Sequence, residues 1–239
     1  MGVSFWVLPV VWLLSSGAPA PVLPDLPVRS VIKLDIDEPS DVCMAADGAG
    51  FFVVSDKGRL YRVSTGGELI KRKRFKGYDL EGICLLRDTL WAVDETQRRV
   101  LAFDPNTLDL LKQRQYTVSG ALNEGWEAMC PEIGGEGLVL FTEKMPVRVF
   151  RFGPGWELEL DRKLKFPKEV SGACIWQGAY WVVSDENRTI YRLDPENFAV
   201  LGQWRIPVLN PEGIVISSAG ELWILSDDMH RLYQFDLPQ

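Results

Sequence analysis

Leu80-Glu81-Gly82-Ile83-Cys84, Trp126-Glu127-Ala128-Met129-Cys130 and Val170-Ser171-Gly172-Ala173-Cys174 are three copies of one phrase. An earlier copy reads Pro39-Ser40-Asp41-Val42-Cys43, and a later one, Pro211-Glu212-Gly213-Ile214-Val215, carries valine in place of cysteine. The steps from copy to copy are 41, 46, 44 and 41 residues. A repeat of that period is the length of a four-stranded propeller blade. Each phrase leads into a strand apolar on both faces, such as Leu90-Trp91-Ala92-Val93 or Leu222-Trp223-Ile224-Leu225, as a strand sandwiched between neighbouring sheets requires. A polar turn, a third strand (Arg59 to Val63, Arg99 to Phe103), turn chemistry such as Asp104-Pro105-Asn106, and a more polar fourth strand (Leu69 to Phe75, Val200 to Ile206) complete each unit. The fold expected is all-β: a five-bladed β-propeller of four-stranded blades, with blade starts near 38, 79, 124, 169 and 210.

The last copy stops at Gln239, before a fourth strand can form. The alternating segment Val31-Ile32-Lys33-Leu34-Asp35-Ile36 supplies it, closing the ring and leaving no long open edge. Residues 30–239 then make one propeller domain, preceded by a short leader over 21–29. The first twenty residues are uncharged and hold an apolar run from Phe5 to Leu14, followed by Ala18-Pro19-Ala20. That pattern predicts a signal peptide or an N-terminal anchor over 1–20, and so an exported chain, periplasmic or extracellular, with a possible membrane tether. The net charge of −7 opposes a nucleic-acid partner. The basic run Lys71-Arg72-Lys73-Arg74 lies in a fourth strand, where charge blunts edge pairing. A monomer is expected.

An even cysteine count in an exported chain suggests disulfides, but the register argues otherwise. Equivalent residues on innermost strands point in the same rotational sense, so each thiol faces the next blade and stays a free, buried, small hydrophobe. Trp91, Trp181 and Trp223 read as inter-blade packing.

Chemistry concentrates at one mouth of the channel. Ser40, Glu81, Glu127, Ser171 and Glu212 begin the innermost strands, and Asp56, Glu95, Glu143, Asp185 and Asp227 end the second strands, one acid per blade. The leading loops add Glu38, Asp79, Glu124 and Glu169. The second-strand acids offer a ligand-binding ring, although Asp in such tight turns often bonds its own backbone. Converging carboxylates repel unless protonated or bridged by a cation, and a hard divalent ion such as Ca²⁺ takes six to eight oxygens.

The phrases Asp79-Leu80-Glu81-Gly82-Ile83, Asn123-Glu124-Gly125-Trp126-Glu127-Ala128, Glu169-Val170-Ser171-Gly172 and Asn210-Pro211-Glu212-Gly213-Ile214 resemble those of the SdiA-regulated, YjiK-type family. The turns Val93-Asp94-Glu95 and Ser184-Asp185-Glu186-Asn187 share the resemblance. It implies an exported or membrane-anchored propeller, similar in shape to phytase-like and esterase-like propellers, with a calcium-type ion in the central acidic site. By position the implied ligands are Glu81, Glu127 and Glu212, with Ser171 as a weaker donor. Ser40-Asp41 departs from the Glu-Gly pattern. The function expected is a non-catalytic, metal-binding propeller presenting its acidic mouth to a small-molecule or protein ligand. The alternative is a metal-dependent hydrolase of phosphate or carboxylic esters, with Arg59, Arg98, Arg99, Arg148, Arg188 and Arg231 near the same face. A glycosidase would need a designated acid and nucleophile, which nothing singles out. A single histidine, His230, in a turn, gives little support to a nucleophilic triad.

Overall fold

A computed structural model describes residues 24–117, 125–144, 146–166 and 168–238. The signal peptide expected over 1–20, the start of the leader, and Asn123-Glu124 lie outside the described residues.

The first blade is β2 (Pro39–Met44), β3 (Gly50–Ser55), β4 (Arg59–Ser64) and β5 (Leu69–Arg74). The second is β6 (Leu80–Leu86), β7 (Thr89–Asp94), β8 (Arg99–Phe103) and β9 (Leu110–Gln115). The third is β10 (Trp126–Pro131), β11 (Leu138–Thr142), β12 (Arg148–Phe152) and β13 (Leu158–Lys163). The fourth is β14 (Gly172–Trp176), β15 (Ala179–Ser184), β16 (Thr189–Leu193) and β17 (Val200–Arg205). The last blade holds β18 (Pro211–Ile216), β19 (Glu221–Ser226) and β20 (Arg231–Asp236), and β1 (Val28–Lys33) pairs antiparallel with β20 as its fourth strand. The closing strand thus starts three residues earlier than the alternation suggested. Leu34 and Ile36 leave the sheet and are buried in the gap between the last and first blades.

The core is five apolar layers, one per gap between blades. β3, β7, β11 and β15 bury both faces, which is why they are apolar without alternation. Cys43 packs with Ile83 of the second blade, Cys84 with Met129 of the third, Cys130 with Ala173 of the fourth, and Cys174 with Ile214 of the last. Val215 completes the circuit against Val42. All four thiols are free, because each points at a neighbouring sheet and not at another thiol. Trp91, Trp181 and Trp223 are buried in three of the same layers. On the outer edge, Lys71 donates to the Asn106 carbonyl and Lys73 pairs with Asp109, tying β5 to the second blade.

Inner strands approach so closely that some positions admit no side chain. A Cβ on Gly82 would lie 2.7 Å from the Met129 nitrogen, and one on Gly172 would lie 2.6 Å from the Glu212 carbonyl oxygen.

Candidate functional site

The innermost strand of four blades carries a β-bulge at its first turn of sequence. Pairing runs from Pro39↔Ser55 to Asp41↔Val54, from Leu80↔Asp94 to Ile83↔Ala92, from Trp126↔Thr142 to Ala128↔Phe141, and from Pro211↔Ser226 to Gly213↔Leu225. Each inner strand spends one residue more than its partner, and the extra residue is Ser40, Glu127 or Glu212, or falls within Glu81-Gly82. A bulge breaks alternation and re-aims the side chain it carries. Here it turns the glutamates away from the sheet faces and into the channel. In the fourth blade, β14 begins only at Gly172, and Ser171 precedes it.

A cavity of about 200 Å³ opens at this mouth, lined by Glu38, Pro39, Ser40, Asp56, Glu81, Glu127, Glu143, Glu212 and Asp227. It brings together the three expected glutamate ligands and three of the five second-strand acids. Glu95 flanks it, accepting the Gly125 N–H at 3.2 Å and sharing a side-chain hydrogen bond with Glu127. Asp185 stands close enough for its charge to act on Glu212. Ser171 is placed differently. Its side chain is buried, and its hydroxyl donates to the Pro211 carbonyl at 2.5 Å, tying the fourth blade to the last.

At four of the five turns the residue before the acid holds a hydrogen bond into its own turn or an adjoining loop, while Ser184, before Asp185, is buried without a partner among the described residues. Ser55 Oγ donates to the Asp37 carbonyl at 2.8 Å and accepts the Lys57 N–H at 3.3 Å. Asp94 accepts the Gln97 N–H at 3.3 Å and pairs with Arg99. Thr142 Oγ1 accepts the Arg148 N–H at 2.9 Å, and Ser226 Oγ donates to the Leu209 carbonyl at 2.5 Å. These four side chains are buried, whereas Asp56, Glu95, Glu143 and Asp227 remain partly open toward the mouth.

Crowding shows in the proton affinities. Burial first, and then neighbouring carboxylates, hold Glu81 and Glu127 well above the usual carboxylate range. The same causes push Glu212 up to about 8. Burial and then Glu38 raise Asp56 to about 6, and Asp56 Oδ1 is buried without a hydrogen-bond partner. Glu38 itself is lowered, by its hydrogen bonds with Asp56 and Lys57. The carboxylates ring the cavity without any three His, Cys, Asp or Glu converging into a ready-made metal cage among the described residues. Three of the expected arginines are paired: Arg59 with Asp37 at 3.3 Å, Arg99 with Asp94, and Arg148 with Asp161 at 2.5 Å.

Asp41 was legible only as a departure from the repeat, and it is buried where the inner strands of three blades meet. It stands where Gly82, Ala128, Gly172 and Gly213 stand in the other blades. Fully buried, it accepts the Val42 N–H at 2.7 Å and the Ile83 N–H of the second blade at 2.8 Å. On the other side its Oδ1 would lie 2.8 Å from a Cβ on Gly213 of the last blade. A carboxyl that touches both neighbours of its own blade lies in the channel. Beneath it a second compartment of about 190 Å³ is lined by the four cysteines, Val215 and apolar side chains. Burial drives all four thiols upward in pKa, so they stay protonated there.

Residues 28–236 match the SdiA-regulated protein family. No curated protein matches the chain. Among solved structures, the glutaminyl cyclase of Myxococcus xanthus superposes with a TM-score of 0.73 at 14% identity, over 90% of this chain and 100% of that one. Virginiamycin B lyase from Staphylococcus aureus gives 0.53 at 14% identity, over 84% of this chain and 66% of that one. A streptogramin B lyase gives 0.55 at 11% identity, over 88% and 73%. At these identities the similarity is one of fold.

Proposed function

The chain belongs to the SdiA-regulated family, and from the chemistry of its mouth we propose that it is a divalent-cation-binding propeller of the calcium type. The observation that carries this reading is the convergence of Glu81, Glu127, Glu212 and Asp56 on one cavity, with their proton affinities raised and one Asp56 oxygen buried without a partner. Carboxylates so placed need protons or a cation to coexist. A hard ion accepts oxygen donors in a loose cage and keeps water in the remaining positions, which suits a cavity wider than a bare ion. Glu81, Glu127 and Glu212 would hold the ion from three blades, with Asp56 nearest to a free donor. Ser171 is engaged elsewhere and adds little.

The bound ion would then offer open coordination positions to a ligand with carboxylate, carbonyl or hydroxyl oxygens. The acidic second ring, Asp56, Glu95, Glu143, Asp185 and Asp227, would select against anions that cannot reach the ion. We further propose export and a monomeric state, supported by the uncharged apolar run before Ala18-Pro19-Ala20 and by the closed ring of blades. Calcium titration calorimetry tests the metal reading. Saturable binding at neutral pH, weakened at least tenfold in Glu127→Gln and Glu81→Gln, is the expected result. Heat no greater than dilution, with the same melting temperature in Ca²⁺ and chelator, overturns it.

A second reading is a metal-dependent ester hydrolase. The observation favouring it is the Glu127–Glu95 hydrogen bond, a carboxyl pair whose proton affinities burial raises and between which a proton could be shared and passed on. Carboxylic esters suit it better than phosphate esters, because Arg59, Arg99 and Arg148 are already paired with acids. Turnover of a chromogenic ester, abolished in Glu127→Gln, would select this reading.

A further inference from the structure

At the face opposite the acidic mouth, three gaps between blades are closed by the turn after the third strand. One residue of that turn takes a left-handed backbone and tucks into the gap: Leu108 at φ 62°, Trp156 at φ 67° and Phe198 at φ 59°. Trp156 meets the Trp91 ring at 4.9 Å, and Phe198 stacks on Tyr180 at 5.3 Å. Leu108 has no ring. The gap it serves, between the first and second blades, keeps a cleft of about 430 Å³. That volume falls within the range of small-molecule sites, roughly 300–1,000 Å³.

The cleft has a floor, walls and a rim of different chemistry. Its floor is the Arg62 guanidinium, 5.0 Å above the centroid of the buried Phe52 ring and fixed by donation to the Val63 carbonyl at 2.9 Å. Its other partner is Asp47 at 3.1 Å, but the Asp47 side chain is 63% exposed while that of Arg62 is 13% exposed. An ion pair so open to water is weak and exchangeable. Ala45, Ala46, Leu85 and Pro105 form the apolar walls, and Asp88, Asp104 and Arg87 stand at the rim.

We propose that this cleft binds a small zwitterion, the simplest being a free amino acid with an apolar side chain. A planar guanidinium on the floor takes a carboxylate as a fork. The rim carboxylates attract an ammonium, and the walls receive the apolar body. A ligand with only an anionic group would face three aspartates, and one with only a cationic group would face the Arg62 guanidinium, Arg87 being paired with Glu136. The site lies beyond the far end of β2 from Ser40, so it is independent of the cation reading.

Amide NMR of the full chain, titrated with L-phenylalanine, L-phenylalaninamide and N-acetyl-L-phenylalanine, tests the assignment. Saturable shifts at Ala45, Ala46 and Asn106 are expected with the amino acid, at least tenfold weaker with either blocked form. Arg62→Met, which keeps the packing stem, and Ala46→Trp, which fills the cleft from an exposed lining position, should each abolish them in an otherwise native spectrum, while Glu127→Gln leaves them intact. Absent saturation, equal affinity for a blocked form, or unchanged binding in Arg62→Met or Ala46→Trp overturns the proposal.

Discussion

A glutamate whose carboxyl is buried among like charges holds its proton longer when the chain is folded than when it is not, and that couples stability to pH. Glu212 is the clearest case, moving from 4.5 to about 8 on folding, with burial the largest cause. Between those values the folded chain binds a proton that the unfolded chain has released. Its contribution is fully present below the unfolded value and is lost as pH rises through about 8. Metal-free protein should therefore melt lower at pH 8.5 than at pH 5.5, and Glu212→Gln should flatten that slope and melt higher at the alkaline end. Calorimetric melting across that range is the check. Asp41 makes a different prediction, since its oxygens accept two backbone N–H groups from different blades. Asp41→Ala removes both bonds and should cost about 1–3 kcal/mol in urea unfolding, with Asp41→Asn closer to the parent. The repeat marked Glu81, Glu127 and Glu212 as equivalent before any coordinates, because they share a position in each phrase. It did not reveal that Ser171 turns back onto the Pro211 carbonyl, nor that Asp41 reaches the axis. Both depend on which neighbour a side chain meets across the channel, and no spacing within one chain segment encodes that.

Among the elements, the inner strands do most to position the site, and two local devices shape them. The bulge at the first residues of β2, β6, β10 and β18 aims the glutamates, while small residues after it let adjacent inner strands approach. Gly82→Ala would put a methyl group 2.7 Å from the Met129 nitrogen. The backbone there cannot yield as a side chain would, so the cost should be about 1–3 kcal/mol by overpacking, read as a lower urea midpoint with unchanged slope. Strand order, apolar second strands and turn chemistry were all legible, because each leaves a composition signal that recurs in every blade. The bulges were not. An extra residue is defined only against the register of its partner strand, and the repeated phrases look the same with or without it. The inward bonds of Ser55, Asp94, Thr142 and Ser226 to their own turns or adjoining loops were not legible for a related reason: of two adjacent polar residues, only backbone geometry decides which turns inward.

For the molecule as a whole, closure by β1 turns five stacked sheets into one ring. The alternation of Val31 to Ile36 marked that strand, offset because Leu34 and Ile36 serve the inter-blade core instead of the ladder. Removing residues through Lys33 should leave the β20 edge open, giving a broadened urea transition and association on gel filtration. A monomer with an unchanged midpoint would contradict ring closure as the source of cooperativity. The ring also creates the site, since glutamates from three blades meet only at its axis. A high-resolution crystal structure grown in millimolar Ca²⁺ tests this most directly. The account predicts one ion in the acidic mouth, held by oxygens of Glu81, Glu127 and Glu212 at about 2.3–2.6 Å. A mouth holding only water under those conditions, or an ion bound elsewhere with these carboxylates undisturbed, would contradict it.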